Sequence, residues 1–245
     1  MFDLGPLGLI WMALVILGAG FVRGYSGFGY SAIVVAGASL VMNPLQIVAV
    51  VAVLEFSMSL QSWRGAGPDI DWRRVLFLLA GAAVGLPLGL WLLTAISEDA
   101  ARALISGYVL VMCAVLMVGW RLADEVGAKG TAAMGVVSGF ANAPGMGGLP
   151  LAAFFAAQPM RPAVFRATLI AYFPFLDLYS MPFYWGHGLI SLQTLWAVLL
   201  AIPLTGLGNH LGGRHFFGAE PQEFRRFVVL LLAALASLGL LKALL

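Results

Sequence analysis

Charged residues are scarce in this chain. Only 10% of its 245 residues are Asp, Glu, Lys or Arg, whereas 62% are hydrophobic. An average soluble domain carries about 25% charged residues. A chain with so few charges cannot cover a water-soluble globule with polar groups, and its mean hydropathy of +0.98 agrees with this. The composition therefore excludes an ordinary soluble domain and predicts a polytopic membrane protein.

Other residue types that would indicate a function are also few. A single cysteine, Cys113, excludes an intrachain disulfide, and a net charge of +2 is too small to indicate nucleic-acid binding. The three histidines have no metal-ligand spacing, so we predict neither a metal site nor a cofactor. No Lys or Arg precedes the first apolar run. A cleavable signal peptide normally has a basic start, so we expect a retained membrane helix there.

Long apolar runs follow one another along the chain, each close to the roughly 20 residues that a helix needs to cross the hydrocarbon. Three shorter segments lie between them and reach only part of the way at 1.5 Å per residue. These are half-helices, re-entrant segments or thin spans, at about 31–42, 130–141 and 147–157. We therefore expect an all-α polytopic membrane protein with about 8–10 membrane segments. The long runs lie at about 7–22, 45–63, 74–96, 103–120, 163–185, 190–213 and 224–244.

The glycine-rich segment that follows the first apolar run occurs twice. GFVRGYSGFGYS at 20–31 is echoed by GVVSGFANAPGMGGLP at 135–150, and each copy is followed by a proline that opens a long apolar run. This self-similarity predicts a duplication. We expect an N-terminal transmembrane repeat at 1–121, a polar linker at 122–129 and a C-terminal transmembrane repeat at 130–245.

Arginines are distributed differently between equivalent loops of the two halves. The loop 64–74 carries three and its counterpart near 186–188 carries none, whereas 97–102 has one and its counterpart 214–226 has three. Under the positive-inside rule, this exchange places the two halves upside down relative to one another. We therefore expect two inverted-topology repeats. The loops 64–74, 121–129 and 214–226 would lie in the cytoplasm, and both termini outside.

The duplicated glycine motif, with its helix-opening proline, resembles the TauE/SafE sulfite exporter family, also called the toluene sulfonate uptake permeases. GFVRGYSGFG is similar to a common bacterial form of the family's first motif, while APGMGGLP departs from the glycine triplet expected in the second. The resemblance covers essentially the whole chain. It implies secondary transport of a small sulfur-containing anion across the bacterial inner membrane. Sulfite or an organosulfonate such as sulfoacetate would be the substrate.

The glycine breaks also indicate an anion site on physical grounds. Interrupted helices expose backbone N–H groups, which is tolerable in a membrane only inside protein or around a polar cavity. Helix N-termini attract anions, and those near Tyr30 and Gly147 would meet near the midplane. Arg23 can grip a sulfonate by two parallel hydrogen bonds, unless it snorkels to the interface. The candidate substrate-binding residues are Arg23, Gly24, Tyr25, Ser26, Gly27, Gly29, Ser31, Asn142, Gly145, Gly147, Gly148 and Tyr172.

Two carboxylates, Glu55 and Asp177, fall inside long apolar runs. Buried acids in lipid usually mark a transport pathway or an ion pair. Either acid is a candidate for coupling transport to a proton or a sodium ion, and the alternative is a static pair such as Glu55 with Arg23. Arg166 is expected at an aqueous surface or as a guide for substrate. The expected partners are the anion, the bilayer, the coupling ion and a second copy in a homodimer, but no nucleic acid.

Other functions fit parts of the sequence. Duplicated re-entrant loops can line an anion channel, and a carboxylate can replace the sulfur anion as substrate. GYSG at 24–27 resembles the Gly-x-Ser-Gly element of rhomboid intramembrane proteases, with His210 as a conceivable base. However, the second copy reads GFAN and has no serine. The repeat preserves glycines rather than a nucleophile, so we expect a transporter and not an enzyme.

Overall fold

The computed structural model describes residues 4–26, 28–63, 67–215 and 221–244, and in these residues it contains ten α-helices and no strand. The expected all-α polytopic architecture is therefore confirmed. The helices are α1 (Pro6–Ser26), α2 (Tyr30–Ala38), α3 (Val48–Ser62), α4 (Trp72–Ala95), α5 (Glu98–Val118), α6 (Ala128–Asn142), α7 (Gly148–Ala156), α8 (Pro162–Gly186), α9 (Leu192–His215) and α10 (Pro221–Leu244).

Local sequence signals explain several helix ends. The side chain of Asp71 accepts a hydrogen bond from the backbone N–H of Arg74 at 3.0 Å and caps the start of α4. Ser97 caps α5 in the same way, and both residue types are favoured N-caps. At its other end, α5 stops at Gly119, which has a left-handed φ of 68°. Glycine is the usual residue at that position after a helix.

Five of the described helical segments are long and apolar enough to cross a membrane. They are Pro6–Tyr25, Pro44–Ser62, Trp72–Ala95, Glu98–Val118 and Leu192–Arg214. The second of these combines α3 with a short 3₁₀ turn at Pro44–Ile47 that precedes it. Large apolar side chains on these helices point outward, such as Trp91 and Leu195, which are 68% and 61% exposed. An apolar outer surface of this kind suits lipid.

The helices α2 and α7 have nine residues each. At 1.5 Å per residue they span about 13 Å, less than half of the hydrocarbon. Each turns back beside the helix that precedes it. The indole N–H of Trp11 in α1, for example, donates to the backbone oxygen of Gly37 in α2 at 2.9 Å. Two helical hairpins, α1–α2 and α6–α7, therefore dip into the bundle, and every residue of α2 is buried.

The two halves of the chain have the same order of helices and interleave. Each contains a long helix, a nine-residue helix and three further helices. The first helix of each half packs on the fourth helix of the other, α1 on α9 and α6 on α4, while α3 packs on α8 and α5 on α10. This exchange of partners is what an internal two-fold relation would produce. The inverted topology and the repeat boundaries stay predictions, although α6 already begins within the expected linker at Ala128.

Arg74 joins the linker to the end of the second hairpin. Its guanidinium donates to the side chain of Gln158, just after α7, at 3.0 Å, and to the carboxylate of Glu125 in the linker. The loop before α4 and the linker thus lie on the same side of the bundle, as the arginine distribution predicts. Their cytoplasmic location stays a prediction, and residues 64–66 and 216–220 of the expected cytoplasmic loops lie outside the described residues.

Glycines bring the interleaved helices into backbone contact. A Cβ added at Gly81, Gly85 or Gly89 of α4 would overlap backbone atoms of α6. In the same way, a Cβ at Gly208 or Gly212 of α9 would overlap backbone atoms of α1. Small residues allow this close approach in membranes, where lipid offers no hydrophobic force to drive helices together. These two rows of glycines, on α4 and on α9, are the glycine faces of the protein. They hold each hairpin against the opposite half of the chain.

We expect Gly85→Ala to lower the melting temperature of the purified protein in detergent by roughly 5 °C. The added methyl meets the backbone oxygen of Val136, so that α4 and α6 must separate, at about 2 kcal/mol. Gly107→Ala on α5 is the matched control, because nothing lies within 4 Å of its Cβ position. It should leave the melting temperature unchanged or raise it slightly. Equal melting temperatures for the two variants would contradict the packing role of Gly85.

Candidate functional site

Arg23 of α1 is buried among the helices and is only 4% exposed. Its Nη1 lies 3.4 Å from Oε1 of Glu55, and its Nη2 donates to the hydroxyl of Ser59 at 2.9 Å. The guanidinium carbon also lies 5.5 Å from the centre of the Phe173 ring, in a cation–π contact. The side chain therefore points into the protein, and the alternative that it snorkels to the membrane surface is wrong.

Glu55 is buried as deeply, at 3% exposure. Besides Arg23, the hydroxyl and the backbone N–H of Ser31 face its carboxylate and act on it as donors. Ser31 lies in the first turn of α2, so the carboxylate of Glu55 lies at the N-terminus of this short helix. Free N–H groups and the helix dipole favour an anion at such a position. The place where the sequence predicts an anion site thus holds a carboxylate of the protein itself.

Asp177 of α8 is the second buried acid, at 2% exposure. It lies close enough to Glu55 and Arg23 to interact with the charges of both. Its Oδ2 atom is buried and has no hydrogen-bond partner among the residues that the structure describes. The hydroxyl of Ser180 donates to the backbone oxygen of Asp177 and not to the carboxyl group. The cluster therefore brings two carboxyl groups to one guanidinium.

The turns of the two hairpins adjoin one another. Gly29 and Gly145 have left-handed φ angles of 90° and 78°, a conformation that side chains with a Cβ rarely adopt. A Cβ built at Gly145 would lie 4.0 Å from that of Ser31. The second glycine turn therefore lies beside the N-terminus of α2, as expected for loops that face one another.

The second hairpin turn is held by uncharged groups. The hydroxyl of Ser138 donates to the backbone oxygen of Gly147 at 2.9 Å and lies 3.0 Å from the hydroxyl of Tyr172. The next residue, Gly148, packs against the ring of Phe173. Phe173 also faces the guanidinium of Arg23, so its ring connects the second turn to the charged cluster.

The predicted site residues thus fall into two adjoining groups that Phe173 connects. The first group is Arg23, Ser31, Glu55 and Asp177, and the second is Asn142, Gly145, Gly147, Gly148 and Tyr172. Gly24 has a different contact, because a Cβ there would overlap the backbone of Asn209 in α9. Tyr25 is buried beside it. Gly27 and the side chain of Ser26 lie outside the described residues.

Sequence reasoning missed several hydroxyl groups near this site. The hydroxyl of Tyr184 donates to the backbone oxygen of Asn142 at 2.9 Å, and that of Tyr30 lies 3.0 Å from the hydroxyl of Thr205. Ser59 alone had a usable signal, since it lies four residues after Glu55 and therefore on the same face of α3. The tyrosines form contacts between distant parts of the chain, for which a single sequence carries no signal.

Two arginines at and near the start of α8 lie at different depths, one at the surface and one closer to Arg23. Arg161, at the start of this helix, has a side chain that is 76% exposed and lies 3.5 Å from Asp69. Arg166 is half-buried and lies close enough to Arg23 for the two positive charges to interact. This position suits the expected role of Arg166 as a guide for an anion better than a purely surface location.

The charged cluster is closed to solvent, because each of its members is at most 4% exposed. Two apolar cavities lie elsewhere, one of about 520 Å³ between α5, α6 and α7 and one of about 370 Å³ between α4, α5 and α6. Arg23, Glu55 and Asp177 line neither of them. A charged ligand has few polar partners in cavities of this kind. The cluster between α1, α2, α3 and α8 is therefore the candidate anion site.

Comparisons with known proteins show the family of the chain. The sequence model of the sulfite exporter TauE/SafE family matches residues 12–238. The probable sulfite/organosulfonate exporter TauE of Cupriavidus necator is 28% identical over 223 residues, which cover 86% of either chain. No solved structure matches the sequence significantly. The family consists of transporters, which excludes the rhomboid-like protease. The chain belongs to the TauE/SafE sulfite exporter family, as a multi-pass protein of the bacterial inner membrane.

Proposed function

We propose that this chain carries a small sulfur-containing anion across the inner membrane by alternating access, coupled to the movement of a proton or a sodium ion. Sulfite or an organosulfonate such as sulfoacetate is the substrate, and Glu55 and Asp177 are the candidate coupling residues. Family membership, and the similarity to a probable sulfite/organosulfonate exporter of Cupriavidus necator, support a sulfur anion. The observation that carries the proposal is the buried guanidinium of Arg23 at the N-terminus of α2.

The donors around Arg23 favour an oxyanion with three oxygens. They comprise the guanidinium itself, the hydroxyl of Ser59, and the hydroxyl and backbone N–H of Ser31. A sulfonate or sulfite offers an oxygen in each of these three directions, whereas the two oxygens of a carboxylate lie in one plane and meet a donor outside that plane less well. A hydrogen bond to a charged group contributes about 1.5–3 kcal/mol, so weakening one of them gives a preference of about tenfold.

The closed cluster favours a carrier over a channel. Solvent reaches neither Arg23 nor Glu55, so an anion enters only if the surrounding helices move. The two hairpins are suitable moving parts, because each is held to the opposite half along a glycine face and turns at the site itself. A carrier exposes such a site to one side at a time, while a channel would keep a continuous aqueous path.

Removal of the arginine should abolish tight anion binding. Arg23→Gln alone would leave Glu55 as an unpaired buried charge and could unfold the protein. The test therefore compares the double variant Arg23→Gln/Glu55→Gln with Glu55→Gln, which keeps the arginine. We expect the double variant to bind methanesulfonate at least about 30-fold more weakly, because charged hydrogen bonds contribute about 2 kcal/mol or more. Isothermal titration calorimetry on folded, monodisperse protein measures this, and equal affinities would overturn the role of Arg23.

A comparison of methanesulfonate with acetate distinguishes a sulfonate transporter from a carboxylate transporter. The two anions have the same charge but differ in the number and arrangement of their oxygens. We expect methanesulfonate, sulfite and sulfoacetate to raise the melting temperature of the purified protein at concentrations about tenfold below those of acetate, by mass action on the folded state. The experiment is a thermal-shift titration, with chloride as the control for ionic strength. Stabilisation by acetate at equal or lower concentration would favour the carboxylate transporter instead.

A counterflow experiment distinguishes a carrier mechanism from a channel mechanism. Proteoliposomes are preloaded with unlabelled methanesulfonate and diluted into a trace of labelled methanesulfonate. We expect labelled anion to accumulate transiently above its outside concentration, because a carrier exchanges one anion for another through a single site. Protein-free liposomes serve as the control. If the label merely equilibrates, and uptake does not saturate with concentration, the chain is an anion channel.

A further inference from the structure

The groups that surround the carboxylate of Glu55 are the kind that would bind a free anion. Its carboxylate lies 3.4 Å from the guanidinium of Arg23 and faces both donors of Ser31 at the N-terminus of α2. Each of these groups would serve a sulfonate equally well. A substrate that binds Arg23 must therefore displace Glu55, because the guanidinium cannot satisfy both anions with the same donors.

Among the described residues, Arg23 on α1 is the cation that acts on Glu55, whereas the positive charge of Arg166 on α8 acts on Arg23. The other titratable groups around Glu55 are Tyr30 on α2, and Asp177 and Tyr184 on α8. From α9, Thr205 meets Tyr30 and does not bring a charge. An ionised carboxylate without a partner is very costly in a dry interior, and such a group takes up a proton instead.

We propose that Glu55 is a tethered competitor of the transported anion and the proton-coupling residue of the carrier, so that the substrate binds Arg23 only when Glu55 is protonated. This rests on the proposed function and deepens it, because it identifies the coupling ion as a proton and assigns it to one of the two buried acids.

The transport cycle follows from this competition. A proton from the aqueous phase on the entry side binds the carboxylate of Glu55 and breaks its pair with Arg23, and the anion takes its place. After the site opens to the other side, the anion leaves, Glu55 releases its proton there and pairs with Arg23 again. One proton therefore accompanies each singly charged anion in the same direction. The net charge of the cluster is the same before and after binding.

Asp177 has a different part in this scheme. Its Oδ2 atom is buried without a hydrogen-bond partner, an arrangement that a neutral carboxylic acid tolerates far better than a carboxylate. A protonated Asp177 has no charge and does not compete for Arg23. The positive charge of Arg23 is then available to Glu55 or to the substrate. Asp177 is thus a positioning residue that keeps its proton throughout the cycle, so its amide should keep the pH dependence of anion binding.

Glu55→Gln and Asp177→Asn are therefore a matched pair, since each turns one buried acid into its amide. The ligand is methanesulfonate, whose charge does not change across the pH range used. In the wild type and in Asp177→Asn, we expect its affinity to fall between pH 6 and pH 8, by up to about tenfold per pH unit, as for one linked proton. In Glu55→Gln the affinity should be higher at pH 8 than in the wild type and nearly independent of pH.

Transport provides a second readout. Glu55→Gln proteoliposomes should still exchange methanesulfonate in counterflow but should not accumulate it in response to an imposed pH gradient. Asp177→Asn, whatever its rate of exchange, should still accumulate methanesulfonate in response to the pH gradient. If Glu55→Gln retains the pH dependence of the wild type, or if only Asp177→Asn loses it, the assignment of the proton to Glu55 is overturned. The proposed anion transport would survive that result.

Measurements on the wild type keep the inference testable should Glu55→Gln fail to fold. A pH-sensitive dye inside the liposomes should report one proton entering with each methanesulfonate, and a membrane potential should not change the uptake rate. Uptake that depends on sodium and leaves the internal pH constant would overturn the proton coupling through Glu55, but not the proposed anion transport. If no protein, wild type or variant, binds or transports any of the anions, the proposed function fails with it.

Discussion

The architecture depends on one buried ion pair. A guanidinium and a carboxylate in a dry interior each lose several kcal/mol of hydration, and attraction offsets this only when the remaining donors also find partners. Arg23 meets this condition through Glu55, Ser59 and the ring of Phe173. The pair fixes α1 against α3 and brings the N-terminus of α2 to the same point. A charge that is so costly to bury is seldom kept in a membrane unless it has a function.

Glycine has two separate roles around this pair. At Gly29 and Gly145 it permits the left-handed turns at which the hairpins reverse direction. Along α4 and α9 it permits backbone contact with α6 and α1, which a single methyl group would prevent. Gly24 belongs to the second kind, although it lies within the motif that suggested an anion site. The turns at the site are therefore flanked by closely packed helices, the arrangement through which the proposed alternating access would act.

The sequence predicted much of the fold because the bilayer restricts it so strongly. Apolar length identified the long helices, and glycines beside short apolar segments identified the starts of α2 and α7 to within one residue. The sequence could not choose between the interface and the interior for Arg23. Lipid-facing and core-facing residues are equally apolar in a membrane protein, so hydropathy does not distinguish the buried face of a helix from its outer face. Tyr184 was missed for this reason, since only a tertiary contact brings it to Asn142.

The two hairpins differ in charge, because only the first glycine motif carries an arginine. Ser138 holds the place in the second glycine motif that Arg23 holds in the first, and it binds the neutral partners Gly147 and Tyr172. A second arginine there would double the positive charge around one anion and slow its release. With the guanidinium of Arg23 alone in the first glycine motif, the proposed exchange between an external anion and the carboxylate of Glu55 follows. In that scheme the carboxylate of Glu55 returns as the anion leaves and restores the pair that the substrate had broken.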